Sequence, residues 1–229
     1  MIAIYMKLGG MTLDLFNEFE NEGEVRREQL ASHAFVFRNF ALSQASQLLA
    51  AVESVQQIAP FRYLTTPSGL RMSVAMTSCG RLGWMSDRRG YRYAPLDPHS
   101  DQPWPLMPSV FAELATAAAA EAGFDDFVPD ACLINRYASG ARLSLHQDKD
   151  EADFSAPIVS VSLGVPAIFL FGGLQRTDKV ARVPLFHGDV VVWGGPDRLR
   201  YHGILPLKEA RHAMTGSFRF NLTFRKASR

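Results

Sequence analysis

The sequence of 229 residues predicts a mainly β fold with flanking helices, built as an antiparallel sandwich or jelly roll. Three observations predict it. Eight short runs of β-prone residues lie between positions 131 and 225, Gly, Pro or Asp separates them every ten or so residues, and no helical pattern lies between them. Alternating βαβ units would require such helices. The predicted strands are 132–137, 142–148, 158–163, 167–171, 182–185, 190–193, 198–204 and 217–225.

Composition narrows the classes of protein that this chain can belong to. With 47% hydrophobic and 21% charged residues, it predicts one folded domain over 1–229 and excludes a disordered chain. Apolar runs stay far below the ~18 residues of a membrane span, so no membrane association is expected. Residues 1–10 lack a targeting pattern, which favours a cytoplasmic protein. Two cysteines, Cys79 and Cys132, cannot form a disulfide framework and are expected to be buried thiols.

Two helices precede the predicted strands. Over residues 43–58, an apolar face contains Leu48, Val52 and Val55, and Pro60 ends the helix. The second helix, over 109–122, begins after a proline, ends before a glycine and is rich in alanine. Such a surface suits close packing, so both helices are expected to lie outside the sheets.

The segment between the helices is unusually basic. Its Gly, Pro and Arg content predicts hairpins and loops over residues 60–107 rather than long regular elements. Residues 60–95 contain six arginines against one acid, Asp87, and five aromatic residues alternate with them. Cations can bind phosphates and rings can stack on bases, so this pattern is typical of nucleic-acid binding. A solvated arginine-rich loop region is the alternative. The arginines are Arg62, Arg71, Arg81, Arg88, Arg89 and Arg92.

Two histidines and one aspartate form a candidate metal site. In a strand, His146 and Asp148 project from the same face. His202 lies far enough downstream to return from another strand of a jelly roll. Two imidazoles and one carboxylate are the ligand set of non-haem Fe(II) oxygenases. Alone, an HxD pair is a weak signal, and a core histidine bonded to a carbonyl is the alternative for His202.

The last predicted strand has two different faces. Phe220, Leu222 and Phe224 alternate with Arg219, Asn221, Thr223 and Arg225. Buried arginines require an anionic ligand, whereas arginines on an outer sheet face would require only water. Asn135 and Tyr137 share a face of an earlier strand and add neutral hydrogen-bonding groups. A dicarboxylate suits such a lining.

The order of NRY, LSLHQDKDE, PIVSVSLG, GDVVVWGG, YHGI and RFNLTFR resembles the AlkB family of Fe(II)- and 2-oxoglutarate-dependent nucleic-acid dealkylases. The similarity runs from about Leu13 to Arg225. It implies a double-stranded β-helix (jelly-roll) core over about 131–225 and a nucleotide-recognition lid over about 60–107. Residues 1–10 would then be an extension without a catalytic role.

The resemblance also implies a role for individual residues. His146, Asp148 and His202 would bind iron, while Arg225 would also act in catalysis by orienting the metal-bound end of the cosubstrate. Five residues would bind 2-oxoglutarate: Asn135, Tyr137, Arg219, Asn221 and Arg225. Five would contact the substrate: Trp84 by stacking, Tyr91 through the strand backbone, Asp150 by reading the base, and Met72 and Arg176 in segments that differ in detail from the family pattern.

The implied activity is oxidative demethylation of 1-methyladenine and 3-methylcytosine in single-stranded DNA, with Fe(II), 2-oxoglutarate and O2 as cofactors and cosubstrates and formaldehyde as a product. RNA and double-stranded DNA are further candidate substrates, and a monomer is expected. One alternative is a 2-oxoglutarate oxygenase acting on a small molecule or a protein, which would not need the arginine and aromatic segment. A metal-free jelly-roll binding module is the other, and it would not need His146, Asp148 and His202 together.

Overall fold

The computed structural model describes residues 24–228, and over that range it contains two α-helices and sixteen strands. The predicted extension, residues 1–10, lies outside the described residues. Helix α1 is Ala45–Ile58 and helix α2 is Ser109–Glu121. The strands are β1 Arg26–Ala31, β2 Ala34–Arg38, β3 Arg62–Thr65, β4 Arg71–Gly80, β5 Gly83–Asp87, β6 Gly90–Ala94, β7 Leu96–Asp97, β8 Gln102–Pro103, β9 Ala131–Tyr137, β10 Leu143–His146, β11 Ile158–Gly164, β12 Ala167–Phe171, β13 Ala181–Leu185, β14 Val190–Trp193, β15 His202–Ile204 and β16 Arg219–Arg225.

Two antiparallel sheets form the double-stranded β-helix, which confirms the predicted fold class. The larger sheet has the order β1-β2-β14-β11-β16-β9-β4-β3, and the smaller has the order β10-β15-β12-β13. Strands that are distant in the sequence are neighbours in both sheets, as a jelly roll requires. The space between the two sheets is therefore where residues from distant segments meet.

The central strands of the larger sheet, such as β11 and β14, are buried on both faces, whereas the edge strands β1 and β3 are partly exposed. The inner face of this sheet packs on the smaller sheet, with Val191, Trp193 and Phe169 in one apolar cluster. Helices α1 and α2 cover the outer face, where Leu48, Phe111 and Phe224 belong to a second cluster. The two helices therefore lie outside the sheets, as the sequence predicts. Cys79 and Cys132 are buried free thiols, also as predicted.

The segment 60–107 differs from its sequence prediction. Strand β4 is ten residues long and pairs with β9, so it continues the larger sheet. Only the part after it forms separate short hairpins, β5 with β6 and β7 with β8. The prediction of hairpins and loops without long elements is wrong for β4, because a strand buried on a packed sheet does not need a period-two pattern.

Neither helix between residues 24 and 228 combines the length and the apolar content that crossing a bilayer requires.

Candidate metal and cosubstrate site

The structure brings His146, Asp148 and His202 together between the sheets. His146 and His202 are direct partners across the β10–β15 pair, and their ring centroids lie 4.4 Å apart. Asp148 Oδ1 lies 3.6 Å from His146 Nε2, and its Oδ2 lies 3.7 Å from His202 Nε2. One ligand atom from each residue falls within 4.8 Å of the others. This arrangement can hold one metal ion with three protein ligands and leave other positions open.

Both imidazoles are oriented by backbone carbonyls. His146 Nδ1 lies 2.8 Å from the Ser144 oxygen, and His202 Nδ1 lies 3.0 Å from the Arg200 oxygen. An N–H at Nδ1 leaves the lone pair on Nε2, which is the nitrogen that faces the other ligands. Burial, followed by the nearby His146, lowers the pKa of His202 to about 4. The neutral ring that a metal ligand requires is therefore the favoured form.

Gly203 lets the two histidine-bearing strands approach each other. A Cβ atom at this position would lie 2.7 Å from the Leu143 backbone oxygen and 3.1 Å from the Ser144 carbonyl carbon. Because backbone atoms cannot move aside as a flexible side chain can, only glycine permits this pairing next to His202.

Asp148 is held in its ionised form by an arginine. Its burial disfavours the charged carboxylate, but the positive charge of Arg225 outweighs this and keeps the pKa of Asp148 well below its usual value. Arg225 donates to Asp148 Oδ2 from Nε at 2.8 Å and from Nη2 at 2.5 Å. Arg225 is therefore in direct contact with the candidate metal-ligand set.

Arg219 is a buried cation that has no anionic partner among residues 24–228. It is 1% exposed, and its Nη2 donates to Ser162 Oγ at 3.0 Å. Its Nε and Nη1 have no hydrogen-bond partner in the described part of the chain. Burial lowers the pKa of Arg219, as expected for a charge in a dry site. Two unpaired donors on one guanidinium suit a ligand carboxylate, so these residues fit 2-oxoglutarate.

The remaining predicted cosubstrate residues lie beside Arg219. On the paired strands β9 and β16, Tyr137 is the register partner of Arg219, and Asn135 is the partner of Asn221. Asn135 Nδ2 donates to Asn221 Oδ1 at 3.2 Å. Burial raises the pKa of Tyr137 to about 12, so its hydroxyl keeps its proton and can donate a hydrogen bond. The polar face of β16 is buried, with Arg219 and Arg225 at 1% and 6% exposure, so the alternative of arginines on an exposed outer sheet face does not hold.

One cavity of about 630 Å³ is lined by every predicted site residue. The predicted substrate residues lie along its wall: Met72 on β4, Trp84 and Tyr91 on the β5–β6 hairpin, Asp150 after β10, and Arg176 on an exposed loop. The rings of Trp84 and Tyr91 are stacked with centroids 5.6 Å apart and planes 14° from parallel. Trp84 Nε1 donates to Asp150 Oδ2 at 2.8 Å.

A buried hydrogen-bond network next to the candidate metal ligands was not predicted from the sequence. Glu151 has a side chain only 2% exposed, although the run of charges in LSLHQDKDE is typical of a surface. It accepts hydrogen bonds from Tyr93 Oη at 2.7 Å and Arg198 Nη2 at 3.0 Å. Arg225 Nε lies 3.3 Å from it. Its partners come from three distant segments, so no local pattern could have identified it.

The strand that was predicted over 142–148 ends at His146. Asp148 and Asp150 lie in the irregular segment after it, so a shared strand face is not what aligns them with His146. Arg198 Nη1 instead donates to the Asp148 backbone oxygen at 2.8 Å and fixes this segment. Likewise, only 202–204 of the predicted strand 198–204 forms β15.

Comparisons with known proteins find relatives over most of the chain. The profile of the 2OG-Fe(II) oxygenase superfamily matches residues 33–225. The chain is 57% identical over 217 residues to the alpha-ketoglutarate-dependent dioxygenase AlkB of Escherichia coli, which covers 95% of this chain and 99% of that protein. Human nucleic acid dioxygenase ALKBH1 is 34% identical over 124 residues, covering 54% of this chain and 32% of that protein.

A solved structure of OsALKBH1 has a similar fold. It superimposes with a TM-score of 0.76 at 28% sequence identity and covers 88% of this chain and all of the matched chain. The fold of this chain is therefore similar to that of a solved protein over most of its length.

Proposed function

The chain belongs to the AlkB family of the 2OG-Fe(II) oxygenase superfamily, and on that premise we propose that it removes N-methyl groups from damaged nucleic-acid bases. It is an Fe(II)- and 2-oxoglutarate-dependent dioxygenase. The proposed substrates are 1-methyladenine and 3-methylcytosine in single-stranded DNA, with RNA and double-stranded DNA as further substrates.

One observation carries the proposal. The candidate metal ligands, the guanidinium of Arg219 with two free donors among the described residues, and the stacked rings of Trp84 and Tyr91 all line the same cavity. A metal site alone would suit any oxygenase of the superfamily. Aromatic stacking at the same cavity suits a planar base, because every base has a π face.

The residues would have distinct roles in holding the metal and the cosubstrate. His146, Asp148 and His202 would hold iron, and Arg219 would bind the far carboxylate of 2-oxoglutarate, with Tyr137 beside it. When bound, iron, 2-oxoglutarate and O2 together supply the oxidation that releases the methyl group as formaldehyde. The chain positions these groups and keeps the ligand set in the protonation state that binds metal.

The carboxylate of Asp150, in the loop that follows β10, supports a preference for cationic bases. Asp150 is exposed and lines the cavity near Trp84, with which it shares a hydrogen bond. Both 1-methyladenine and 3-methylcytosine are cations near neutral pH and carry an exocyclic amino group that can donate to a carboxylate. A blocked pairing edge also lowers the cost of extruding the base, which favours these lesions and single strands.

Two further residues have proposed contacts outside the base itself. Arg176 is exposed and its Nη1 donates to the Leu145 backbone oxygen at 2.8 Å, so its cationic head is held at the cavity wall. A phosphate next to the extruded nucleotide would suit this position. Met72 is half-buried on the same wall and can pack against the base or sugar.

The experiment is one incubation with Fe(II), 2-oxoglutarate and O2. The substrate is a single-stranded oligonucleotide with one 3-methylcytosine, and the His202→Ala variant is the control. We expect the oligonucleotide to lose the mass of one methylene group, with formaldehyde and succinate formed in equal amounts. The contrary outcome is that the wild type decarboxylates 2-oxoglutarate, but no methylated oligonucleotide loses mass or stimulates this decarboxylation. The substrate would then not be a methylated base. An oxygenase acting on small molecules or proteins would be the better interpretation.

A further inference from the structure

A hydrogen bond joins the β5–β6 hairpin to the loop that follows the metal ligand Asp148. The donor is Trp84 Nε1 and the acceptor is Asp150 Oδ2, at 2.8 Å. We propose that this bond orients the Asp150 carboxylate, so that Trp84 determines base selectivity through its indole N–H in addition to stacking through its ring. The proposal rests on the proposed function, since it concerns which base is demethylated.

The hairpin is attached to this loop at two points. Trp84 is the register partner of Tyr93 across the β5–β6 pair. Tyr93 Oη donates to Glu151 Oε1 at 2.7 Å, so the two residues of one cross-strand pair donate to two consecutive carboxylates. Glu151 is anchored from the other side by Arg198. The backbone that carries Asp150 is therefore fixed, and the bond from Trp84 has only the Asp150 side chain left to orient.

An exposed carboxylate on a loop otherwise samples several rotamers. In the structure the indole N–H engages Oδ2 and leaves Oδ1 as the acceptor for a ligand. A carboxylate held in this way can accept a hydrogen bond from the exocyclic amine of 3-methylcytosine. Its side chain is already ordered, so binding does not pay the conformational entropy of ordering it. The neutral lesion 3-methylthymine presents a carbonyl oxygen at that position, which an oriented carboxylate repels.

The ring of Trp84 should therefore affect the demethylation of every base, whereas its indole N–H should affect only the selectivity between bases. Tyr91 stacks on one face of the indole, which leaves the opposite face for a base. Stacking contributes to every base alike, because it does not depend on the hydrogen-bonding edge. Only the N–H, acting through Asp150, distinguishes bases by their exocyclic group.

The test replaces Trp84 by phenylalanine, which keeps an aromatic ring and removes the N–H. The quantity measured is the ratio of kcat/KM for 3-methylcytosine to kcat/KM for 3-methylthymine in the same single-stranded oligonucleotide. We expect W84F to lower this ratio by about three- to tenfold, as for the loss of one oriented hydrogen bond. In the D150A background the same change should leave the ratio unaltered, because no carboxylate remains to be oriented.

The matched control is W104F. Trp104 packs against Gly83 in the same region, and its indole N–H donates to the Ala94 backbone oxygen at 3.0 Å instead of to a carboxylate. We expect this variant to lose stability without a change in the ratio. A comparable fall of the ratio in W104F would mean that general loosening of the hairpin sets selectivity.

A spectroscopic measurement tests the bond without turnover. The chain has three tryptophans, so its ¹H–¹⁵N spectrum contains three indole N–H signals, and the Trp84 signal is the one missing in W84F. In D150A the Trp84 signal should move and the signals of Trp104 and Trp193 should stay in place. The proposal would be overturned if the Trp84 signal stayed in place in D150A, or if W84F lowered kcat/KM equally for both lesions. If the wild type demethylates neither lesion, the proposed function fails while the spectrum still tests the bond.

Discussion

Arg225 donates two hydrogen bonds to the same oxygen of Asp148, from Nε at 2.8 Å and from Nη2 at 2.5 Å. Both side chains are buried, at 7% and 9% exposure. Asp148 is thus at once a candidate metal ligand and the counter-ion of a buried guanidinium. A buried charge that loses its partner is strongly destabilising, so the pair connects the metal site to the stability of the fold.

Replacement of Asp148 should therefore cost more than replacement of His146. We expect Asp148→Ala to abolish metal binding and to lower the free energy of unfolding of the metal-free protein by about 2 kcal/mol, because Arg225 loses the acceptor of two hydrogen bonds and keeps only its contact with Glu151. His146→Ala should abolish metal binding while costing less than about 1 kcal/mol, because its side chain is 39% exposed. Urea unfolding and metal titration measure the two effects. Equal losses of stability in the two variants would show that the Arg225 pair does not stabilise the fold.

Replacement of Arg219, unlike that of Asp148, should impair cosubstrate binding without lowering the stability of the fold. Because no carboxylate within residues 24–228 forms an ion pair with Arg219, the ligand-free fold carries the cost of a buried charge without a counter-ion. Arg219→Leu should raise the 2-oxoglutarate requirement about tenfold or more, as for the loss of a charge-assisted pair, and leave the stability of the ligand-free protein unchanged or higher.

Decarboxylation at varied 2-oxoglutarate and thermal unfolding check this prediction, and affinity for the oligonucleotide should not change. The control Arg182→Leu removes an exposed arginine from β13 and should alter neither measurement. An unchanged 2-oxoglutarate requirement in Arg219→Leu would place the cosubstrate carboxylate elsewhere.

The sequence could predict the parts of the site that lie on regular strands. Along β16, Leu222 and Phe224 alternate with Asn221 and Arg225, and the structure places the first two against the helices and the others in the cavity. Period-two alternation determines such faces because successive residues of a strand project to opposite sides. The part of the cavity lining that lies on β16 could therefore be predicted from the sequence of that strand alone.

Other features depend on contacts between distant segments and could not be predicted from the local sequence. Strand β2 was not predicted, because its five residues are all buried and carry no alternation. Glu151 lies in a charged run and yet is buried, since Tyr93, Arg198 and Arg225 converge on it. Only the tertiary fold determines whether such a carboxylate is a surface group or a structural one.

A histidine pair outside the site predicts how stability depends on pH. His187 and His212 have ring centroids 4.3 Å apart, and His187 Nδ1 accepts a hydrogen bond from the Gly164 N–H at 2.9 Å. Burial, and then His212, lower the pKa of His187 to about 4. In the unfolded chain a histidine titrates near 6.5. The unfolded state therefore binds protons first, and stability falls as the pH drops from about 6.5 towards about 4.

The variant His187→Asn should flatten that fall, because an amide oxygen can accept the Gly164 hydrogen bond and does not titrate. The measurement is the difference in Tm between about pH 7 and about pH 5, which bracket the ordinary pKa of histidine. His99→Asn, at an exposed histidine, is the control and should retain the parent's difference. If His187→Asn loses as much Tm on acidification as the parent, other groups govern the acid sensitivity.

The arginines of the basic segment should differ in their contribution to nucleic-acid binding. Arg62 is paired through both terminal nitrogens with Asp97, at 2.5 Å each, whereas Arg88 is exposed and has no ion pair in the described part of the chain. A cation that already has a buried carboxylate partner gains little from a phosphate, while a solvated cation releases counter-ions when it binds one.

Matched alanine variants separate these two arginines, because each removes one positive charge. For an undamaged single-stranded oligonucleotide, Arg88→Ala should reduce the slope of log affinity against log salt concentration by up to about 0.7, the value for one phosphate contact. Arg62→Ala should leave the slope unchanged and lower the Tm, since it leaves Asp97 buried without its partner. Fluorescence anisotropy at several salt concentrations measures the slopes. A reduced slope for Arg62→Ala, or an unchanged one for Arg88→Ala, would contradict this assignment of the phosphate-binding residues.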